Sequence, residues 1–454
     1  MKFGGTSLED VSGFERVAHL LRSEVASPPI AVVSAMSGFT DALVTLPGLA
    51  RKVGVAKAAE SLEVHFERHL AIASTLGHSS ASRMRLVLES ARNEIATLLE
   101  CCCDPTGTSL AGEAATQDAI SSYGEMLSAY LLTLVLESLG SHASYVDARR
   151  CIKTDDAFAK AQPLIESTVL HTRMELQPLL NGKRLPVLGG FIGSTRSGET
   201  TTMGRGSSNY TATLIGSALN AREVQIWTDV NGVHTADPSL VKQARTIPYL
   251  SYDEADEIAR LGAKVLHQGM FEPLRAQQIP VYIRNSRLDE AQGTLIAARY
   301  PDPSNAPDKS IKAIAHRNHL VRIDVCSTPK LVDNRYQSTI EALLRKHAVP
   351  LQIVSRTAAH ISLACDEDAP VNSVVEDLMH YGAVEVSPRR AIVGCVGERL
   401  RIRTGGYDRI ATILKSFDAE LEWQQVSPIN LLTMIDASRV VPLLKSLHRE
   451  IFEN

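Results

Sequence analysis

Two stretches of the chain crowd glycines, hydroxyls and a cation together. The first is Lys2-Phe3-Gly4-Gly5-Thr6-Ser7; the second runs from Leu188 to Pro238 and sets Gly189, Gly190, Gly193, Gly198, Gly204 and Gly206 among serines and threonines. Glycine has no Cβ to hold a ligand away, and successive backbone N–H groups in such turns can cradle an oxyanion. Each stretch leads into a helical pattern, Leu8 to Val25 in one case and about Ser207 to Leu219 in the other, so the positive end of a helix dipole faces the turn. Arg205 stands at the second entrance, where a guanidinium fork can grip a carboxylate or a phosphate through two parallel hydrogen bonds. Lys2 adds a point charge to the first. These residue types at these spacings suit a small carboxylated or phosphorylated ligand.

Other segments carry weaker signals. Ser34-Ala35-Met36-Ser37-Gly38-Phe39-Thr40-Asp41 follows the apolar strand Ile30 to Val33. Strand, small-residue turn and helix in that order put ligands at the carboxyl end of the strand. Glu125 borders the apolar run Met126 to Leu139; an acid there is either satisfied by the dipole of the helix it opens or, if buried, needs a partner. Lys264 lies in Gly262-Ala263-Lys264-Val265-Leu266-His267, after the acidic helix start Ser251-Tyr252-Asp253-Glu254, and by itself reads as an exposed lysine. His65 and His69 stand four apart on a polar helical run from Leu49 to about Cys102. No third ligand follows at a telling distance, so a solvated helix face is expected rather than a metal site.

The elements that must position these groups form two patterns. Over the first ~300 residues short apolar strands, among them Arg184 to Ile192 and Glu223 to Thr228, alternate with helices, as in an α/β fold with a parallel sheet. Tyr300 to Asp308 is Pro-rich and polar, a linker. Beyond it come strands near Leu320 to Cys326, Leu351 to Val354, Ala391 to Val396 and Asn430 to Ile435, with helices at Gln337 to His347, Val371 to Tyr381, Tyr407 to Phe417 and Ala437 to Ile451. Those are two small strand and helix alternations of similar size.

A chain of 454 residues allows two or three domains, and 44% apolar with 22% charged residues is the balance of a soluble globular protein. The net charge of -4 argues against nucleic acid or an anionic membrane as the main partner. Seven cysteines, Cys101-Cys102-Cys103 together and Cys151, Cys326, Cys365 and Cys395 singly, show no metal-binding spacing, which suggests reduced thiols. With no signal peptide and no apolar run reaching the ~20 residues of a membrane span, a cytoplasmic location is expected.

Taken as one string, the segments closely resemble the aspartokinase signature of the amino acid kinase superfamily. Its parts are KFGGTS from Lys2, SAMSG-x-T from Ser34, GE-x-LS from Gly124, GFIG from Gly190, TTT-x-GR from Thr200, WTDV-x-G…DP from Trp227 and SYDEA…GAKVLH from Ser251. The resemblance implies an α/β, three-layer αβα kinase domain over residues 1–300, followed by two small α+β ACT domains at 311–388 and 389–454. It implies ATP-dependent phosphorylation of the β-carboxylate of L-aspartate to 4-phospho-L-aspartate with Mg2+, the first step towards lysine, threonine and methionine. It further implies a homodimer or larger homo-oligomer and an amino-acid effector at the ACT domains.

In the terms of that resemblance Lys2, Arg205 and Asn209 are catalytic. Ser34, Thr40, Glu125, Arg205, Gly206, Ser207 and Ser208 meet the amino acid, with Glu125 anchoring its ammonium. Lys2, Gly4, Gly5, Ser7, Thr228, Asp229, His234, Lys264 and Val265 meet the nucleotide. The chemistry is self-consistent, because a carboxylate with a pKa near ~3.9 is already ionised at neutral pH and needs no general base. What remains is in-line positioning and neutralisation of charge.

Several residues depart from the family pattern. Almost nothing precedes Lys2, so either the first strand is cut short or the sequence as given starts late. Asn209 stands where an aspartate is usual, Asp41 where asparagine is common, and His234 and Ser239 replace a tyrosine and an arginine. Gln352 and Arg356-Thr357-Ala358 replace the acid and the Thr-Ser-Glu run of lysine-regulated relatives. Restoring aspartate at 209 or arginine at 239 is therefore expected to improve catalysis. Two other readings stand beside the leading one: a catalytically weakened amino-acid-binding regulator, and a kinase for another small carboxylic acid.

Overall fold

The computed structural model describes the chain apart from residues 24–27, 104–109, 205, 264, 289–290, 300–310, 328–337, 339, 341, 344–345, 347–351, 357–359, 399–405, 418, 423–428 and 454. It forms two compact units, one of Met1–Val233, Pro248–Tyr252 and Val265–Tyr300, the other of His234–Ile247, Asp253–Lys264 and Pro301–Asn454.

The first unit is built on one sheet of eight strands, β1 (Lys2–Phe3), β2 (Ala31–Val33), β3 (Ala143–Tyr145), β4 (Leu185–Gly189), β7 (Val224–Thr228), β8 (Tyr249–Leu250), β9 (Val281–Asn285) and β10 (Thr294–Ile296). Their order is β3-β4-β2-β1-β7-β9-β10-β8, while β5 (Ile192–Ser194) and β6 (Thr200–Thr202) form a separate hairpin. Every neighbouring pair in the large sheet is parallel except β9 with β10. Parallel strands need cover on both faces. On one face Phe3, Val33, Val187 and Trp227 pack against Phe14, Phe39, Phe66 and Leu131 of α1 (Val11–Ser23), α2 (Phe39–Val53), α4 (Glu63–Thr75) and α6 (Leu110–Ser138), with α3 (Val55–Glu60) and α5 (His78–Cys103) completing the layer. α7 (Ile165–Asn181) and α8 (Ser208–Ala218) pack on the sheet from the other side, giving the αβα sandwich. Further along the chain come α9 (Tyr252–Arg260) and the short α10 (Glu272–Arg275), which lies against α8.

Five expectations change here. The run read as one helix from Leu49 is broken at Gly54 and Gly77, both at positive φ, and the strand read as Arg184 to Ile192 is broken at Phe191, at φ 69°. α6 begins at Leu110, so Glu125 sits in mid-helix and cannot be satisfied by the dipole of a helix start. From Gly112 to Ser138 this helix is also long and apolar enough to span a bilayer by composition, contrary to the sequence reading, but 78% of its apolar 18-residue stretch is buried within the protein. Lastly, His69 is fully buried, with its ring 5.5 Å from that of Phe39 and its Nδ1 2.7 Å from the His65 carbonyl. The i, i+4 histidines face the core rather than water.

In the second unit β11 (Ala313–Ser327), β12 (Gln352–Arg356), β13 (His360–Asp366), β14 (Gly382–Val396), β15 (Glu420–Glu422) and β16 (Asn430–Asp436) form an antiparallel sheet ordered β12-β13-β11-β14-β16-β15. β11 and β14 pair along most of their length through bulges. One core holds Val321, Ile323, Leu363 and Leu378 with α11 (Asn372–Met379). The other holds Ile314, Val393, Ile435 and Leu447 with α12 (Gly406–Ser416) and α13 (Val440–His448), and takes in Ala236 and Val241 from the early segment. The linker Tyr300 to Asp308 and most of the helix read at Gln337 to His347 lie outside the described residues.

Burial lowers the pKa of His69 from its ordinary 6.5 to about 4. Between those values the unfolded chain takes up a proton that the folded chain refuses, so stability falls as pH drops from 6.5 to 4, by up to about 1.4 kcal/mol per pH unit. His69→Leu should flatten that part of a curve of Tm against pH; an unchanged slope would remove His69 as its cause.

Candidate active site

The register of the sheet brings the expected ligand-binding turns together. Phe3 pairs with Val33 and Trp227, Val33 with Gly189, and Thr228 with Asn285, so five strands end side by side. Crossing hydrogen bonds fix the turns beyond those ends: Gly4 N–H donates to the Trp227 carbonyl (3.1 Å), Ser34 N–H to Phe3 (3.1 Å) and Gly190 N–H to Val33 (2.8 Å). The approach is close enough that a Cβ on Gly5 would lie 2.6 Å from the Ala35 carbonyl oxygen, one on Gly189 2.9 Å from Glu125 Cβ, and one on Gly190 2.6 Å from Ser208 Cβ. At this point the β2 turn, α6 and the start of α8 meet around backbone alone.

Two opposite charges lie inside this junction. Lys2 keeps part of its surface accessible, yet its ammonium is crowded by protein, and desolvation lowers its pKa to about 8 against the pull of Glu125. Glu125 is 3% exposed; burial raises its carboxyl to about 8, opposed by a hydrogen bond from the Ala35 backbone and by the charge of Lys2. Among the described residues Glu125 Oε2 is buried without a hydrogen-bond partner. A second buried acceptor, Asn209 Oδ1 at the start of α8, is likewise unpartnered, while Asn209 Nδ2 donates to the Val265 carbonyl at 3.1 Å. A carbonyl demands a donor, so this amide orientation is dictated by its surroundings.

The remaining expected residues divide between the two units. Ser34 and Thr40 flank the β2 turn and are half-buried. Ser208, next to Gly190, is nearly buried. The hydroxyl of Ser7 lies 2.7 Å from that of Ser286, and the hydroxyl of Ser207 donates to the Gly204 carbonyl at 2.6 Å; their N–H groups are likewise engaged, that of Ser7 on the Gly4 carbonyl (3.0 Å) and that of Ser207 on the Gly204 carbonyl (3.3 Å). Gly206 has φ 81°, a conformation that favours glycine. Thr228 Oγ1 donates to Asp229 Oδ1 (3.2 Å), and both stand at the end of β7. His234 pairs with Thr246 in the second unit, and Ser239 is bonded through N–H and hydroxyl to Asp237 Oδ1. Arg205 and Lys264 lie outside the described residues. No group of three His, Cys, Asp or Glu side chains among the described residues converges on a metal position.

Sequence reading missed Asp118, Asn285 and Ser286. Asn285 Nδ2 donates to Asn231 Oδ1 (2.7 Å), and the Ser286 N–H donates to the Thr228 carbonyl (2.8 Å), tying the β9 turn to the β7 turn. Asp118 lies seven residues before Glu125, on the same face of α6, a signal that helical periodicity carried.

The profile of the amino acid kinase family matches residues 1–285. Aspartokinase 2, chloroplastic, of Arabidopsis thaliana is 30% identical over all of this chain and 84% of its own length. The chain belongs to the aspartokinases of the amino acid kinase family. Two solved structures of the Escherichia coli member, aspartokinase III, share its fold. The R-state complex with aspartate and ADP superposes with a TM-score of 0.87 at 28% identity, covering 99% of each chain. The T-state complex with lysine and aspartate gives 0.77 at 29% identity, covering 99% of this chain and 98% of that one.

The bond to Val265 argues against the expected benefit of an aspartate at 209. A carboxylate there would set an acceptor 3.1 Å from another acceptor. Loss of the bond plus an unmatched buried acceptor amounts to about 1–3 kcal/mol. Asn209→Asp should therefore lower kcat/KM for the amino acid substrate about tenfold or more in steady-state assays. A gain would mean that the carboxylate finds a donor elsewhere.

Proposed function

We propose that this aspartokinase transfers the γ-phosphoryl group of ATP to the β-carboxylate of L-aspartate. The observation that carries the reading is the pair of buried, unpartnered acceptors, Glu125 Oε2 and Asn209 Oδ1, in a glycine-lined junction beside Lys2. A buried acceptor without a donor is costly, and the ammonium of an amino acid supplies donors to both. That the E. coli relative was solved with aspartate and ADP supports the same choice of ligands.

In this reading an oxygen of the already ionised carboxylate attacks the γ-phosphorus in line. A P–O bond to the acid forms as the bond to the ADP oxygen breaks, and no proton moves. Lys2 and the N–H group of Gly5 neutralise the phosphoryl oxygens as charge spreads over them, while Gly4 and Ser7, whose N–H groups are bonded to the Trp227 and Gly4 carbonyls, shape the loop that approaches the nucleotide. Arg205 and Ser208, with the backbone of Gly206 and Ser207, hold the amino acid's carboxylate end, while Glu125 and Asn209 fix its ammonium beside Ser34 and Thr40. Thr228 and Asp229, with His234, Lys264 and Val265, hold the nucleotide. Mg2+ would arrive on the nucleotide phosphates, since the described residues offer no protein cage for it. We also assign the division into a kinase domain (1–300) and ACT domains (311–388 and 389–454), a homo-oligomeric state and a cytoplasmic location.

Trapping with hydroxylamine tests the chemistry. Aspartate, ATP and Mg2+ should yield aspartyl hydroxamate, and Lys2→Met should cut the rate about a hundred- to a thousandfold with Tm unchanged. Hydroxamate from another acid alone would point to a different substrate, and none from any acid to a regulator without turnover.

For the effector, lysine should bind weakly or not at all, because Gln352 and Ala358 carry no charge to pair with a second ammonium. The side chain of Gln352 and residues 357–359 lie outside the described residues. Calorimetry returning a micromolar Kd for lysine would refute this.

A further inference from the structure

Asp118 lies on α6 and is 1% exposed. Its carboxylate is fully engaged. Oδ2 accepts the backbone N–H of Ala159 and that of Thr202, both at 2.8 Å, and Oδ1 accepts the Thr202 hydroxyl at 2.6 Å. One acid thus joins three pieces of chain: its own helix, the loop around Ala159 and the end of β6.

The chain downstream of β6 gives the clamp its meaning. Two residues after Thr202 it enters the turn through Gly204 (φ 84°) and Gly206 (φ 81°), and it then begins α8 with Ser208. Met203 N–H donates to the Phe191 carbonyl at 3.0 Å, and Ala161 N–H to that of Thr202 at 3.0 Å. Ala159 and Phe191 are both held in left-handed conformations, at φ 67° and 69°. That conformation is unfavourable for a residue with a Cβ. Strain of this kind persists only where the surroundings over-determine the backbone, and it concentrates where a site is pre-organised. The Ala159 carbonyl oxygen lies 3.6 Å from where a Cβ on Gly204 would be, so the strained loop bounds the turn directly. Downstream, the Ser207 hydroxyl closes the turn onto Gly204.

The neighbouring threonines are anchored in the same manner. Thr200 Oγ1 accepts from Arg149 Nη1 at 3.2 Å, and the Thr201 and Thr154 hydroxyls lie 2.7 Å apart. Of the three threonines only Thr202 is tied to α6, the helix that also carries Glu125. Asp118 and Glu125 therefore place two walls of one site from a single rigid rod.

We propose that Asp118 is a positioning residue for the amino-acid side of the site: by clamping Thr202 and Ala159 to α6 it sets Gly204 and the Gly206–Ser208 entry to α8 at a fixed distance from Glu125. This rests on the reading that the turn binds the amino acid substrate. Burial raises the Asp118 carboxyl above the usual carboxylate range, against its three hydrogen bonds. What the site needs from it is acceptors in a fixed geometry, which an amide can also provide.

The test is a KM and kcat comparison with a double-mutant cycle in the full chain. Asp118→Ala should raise the aspartate KM tenfold or more while the ATP KM stays within twofold. Asp118→Asn should stay within about twofold of the parent for both, because the amide oxygen accepts the two N–H groups and its NH2 donates to the Thr202 hydroxyl. Ser208→Ala should raise the aspartate KM, and adding Asp118→Ala to it should then cost clearly less than in the parent. If Asp118→Ala does not fold, Thr202→Val, which removes one of the three bonds, should raise the aspartate KM two- to fivefold with the ATP KM unchanged. Equal effects on both substrates, full additivity with Ser208→Ala, an Asp118→Asn variant as poor as the alanine, or an inert Thr202→Val would each overturn the proposal. If Ser208→Ala itself leaves the aspartate KM unmoved, the assignment of the turn to the amino acid fails, and the proposal with it.

Discussion

A buried carboxyl group and a crowded ammonium meet at the junction of the strand ends, and most of the first unit can be understood as what keeps Lys2 and Glu125 there. Desolvating either charge alone is strongly unfavourable, and bringing them together restores only part of that free energy unless their hydrogen bonds are also satisfied. Glu125 Oε2 is not satisfied among the described residues, so the pair is held in place by its frame rather than by its own stability. The frame is a 29-residue helix locked into the main core and a two-residue strand between two longer neighbours. Gly124, Gly189 and Gly190 let those pieces touch, since a Cβ at any of them would meet a neighbouring atom within 3.0 Å.

The same reasoning accounts for the hydroxyl-rich hairpin. Thr200, Thr201 and Thr202 look like a polar ligand-binding run, yet each hydroxyl points back into protein. Their role is to make a short, two-stranded hairpin rigid where it has little core of its own. That rigidity lets Ala159 and Phe191 remain in conformations that an unsupported loop would abandon.

Much of the fold was legible because buried parallel strands are short apolar runs bounded by turn residues, a pattern that β2, β4 and β7 keep. β13 escaped notice, since His360-Ile361-Ser362-Leu363-Ala364-Cys365 alternates with small and weakly polar residues. Half of β11 and most of β14 were hidden in a similar way, because bulges shift the alternation along each strand. In the site, the residue types of Lys2, Glu125 and Asn209 were readable, but their state of satisfaction was not. That Asn209 uses its amide on Val265, 56 residues away, is a fact of tertiary packing that no local pattern contains. His69 misled for the converse reason: a helix with several charged residues presented its histidine to Phe39.

The second unit is assembled from three separated lengths of chain, and its last helix closes on the first of them. Thr235 Oγ1 lies 3.0 Å from His448 Nε2 across 213 residues, and buried Glu254 binds Lys312 Nζ at 2.6 Å. During synthesis the early segments leave the ribosome long before their partners exist. Ala236 and Val241 therefore remain as apolar surface until α13 has been made, and a contact of such sequence separation forms late. Truncating the chain by a few residues at its carboxyl end would thus strand groups that belong to the middle of the sequence, and a nascent chain stalled before α13 is the form most exposed to chaperones and to aggregation.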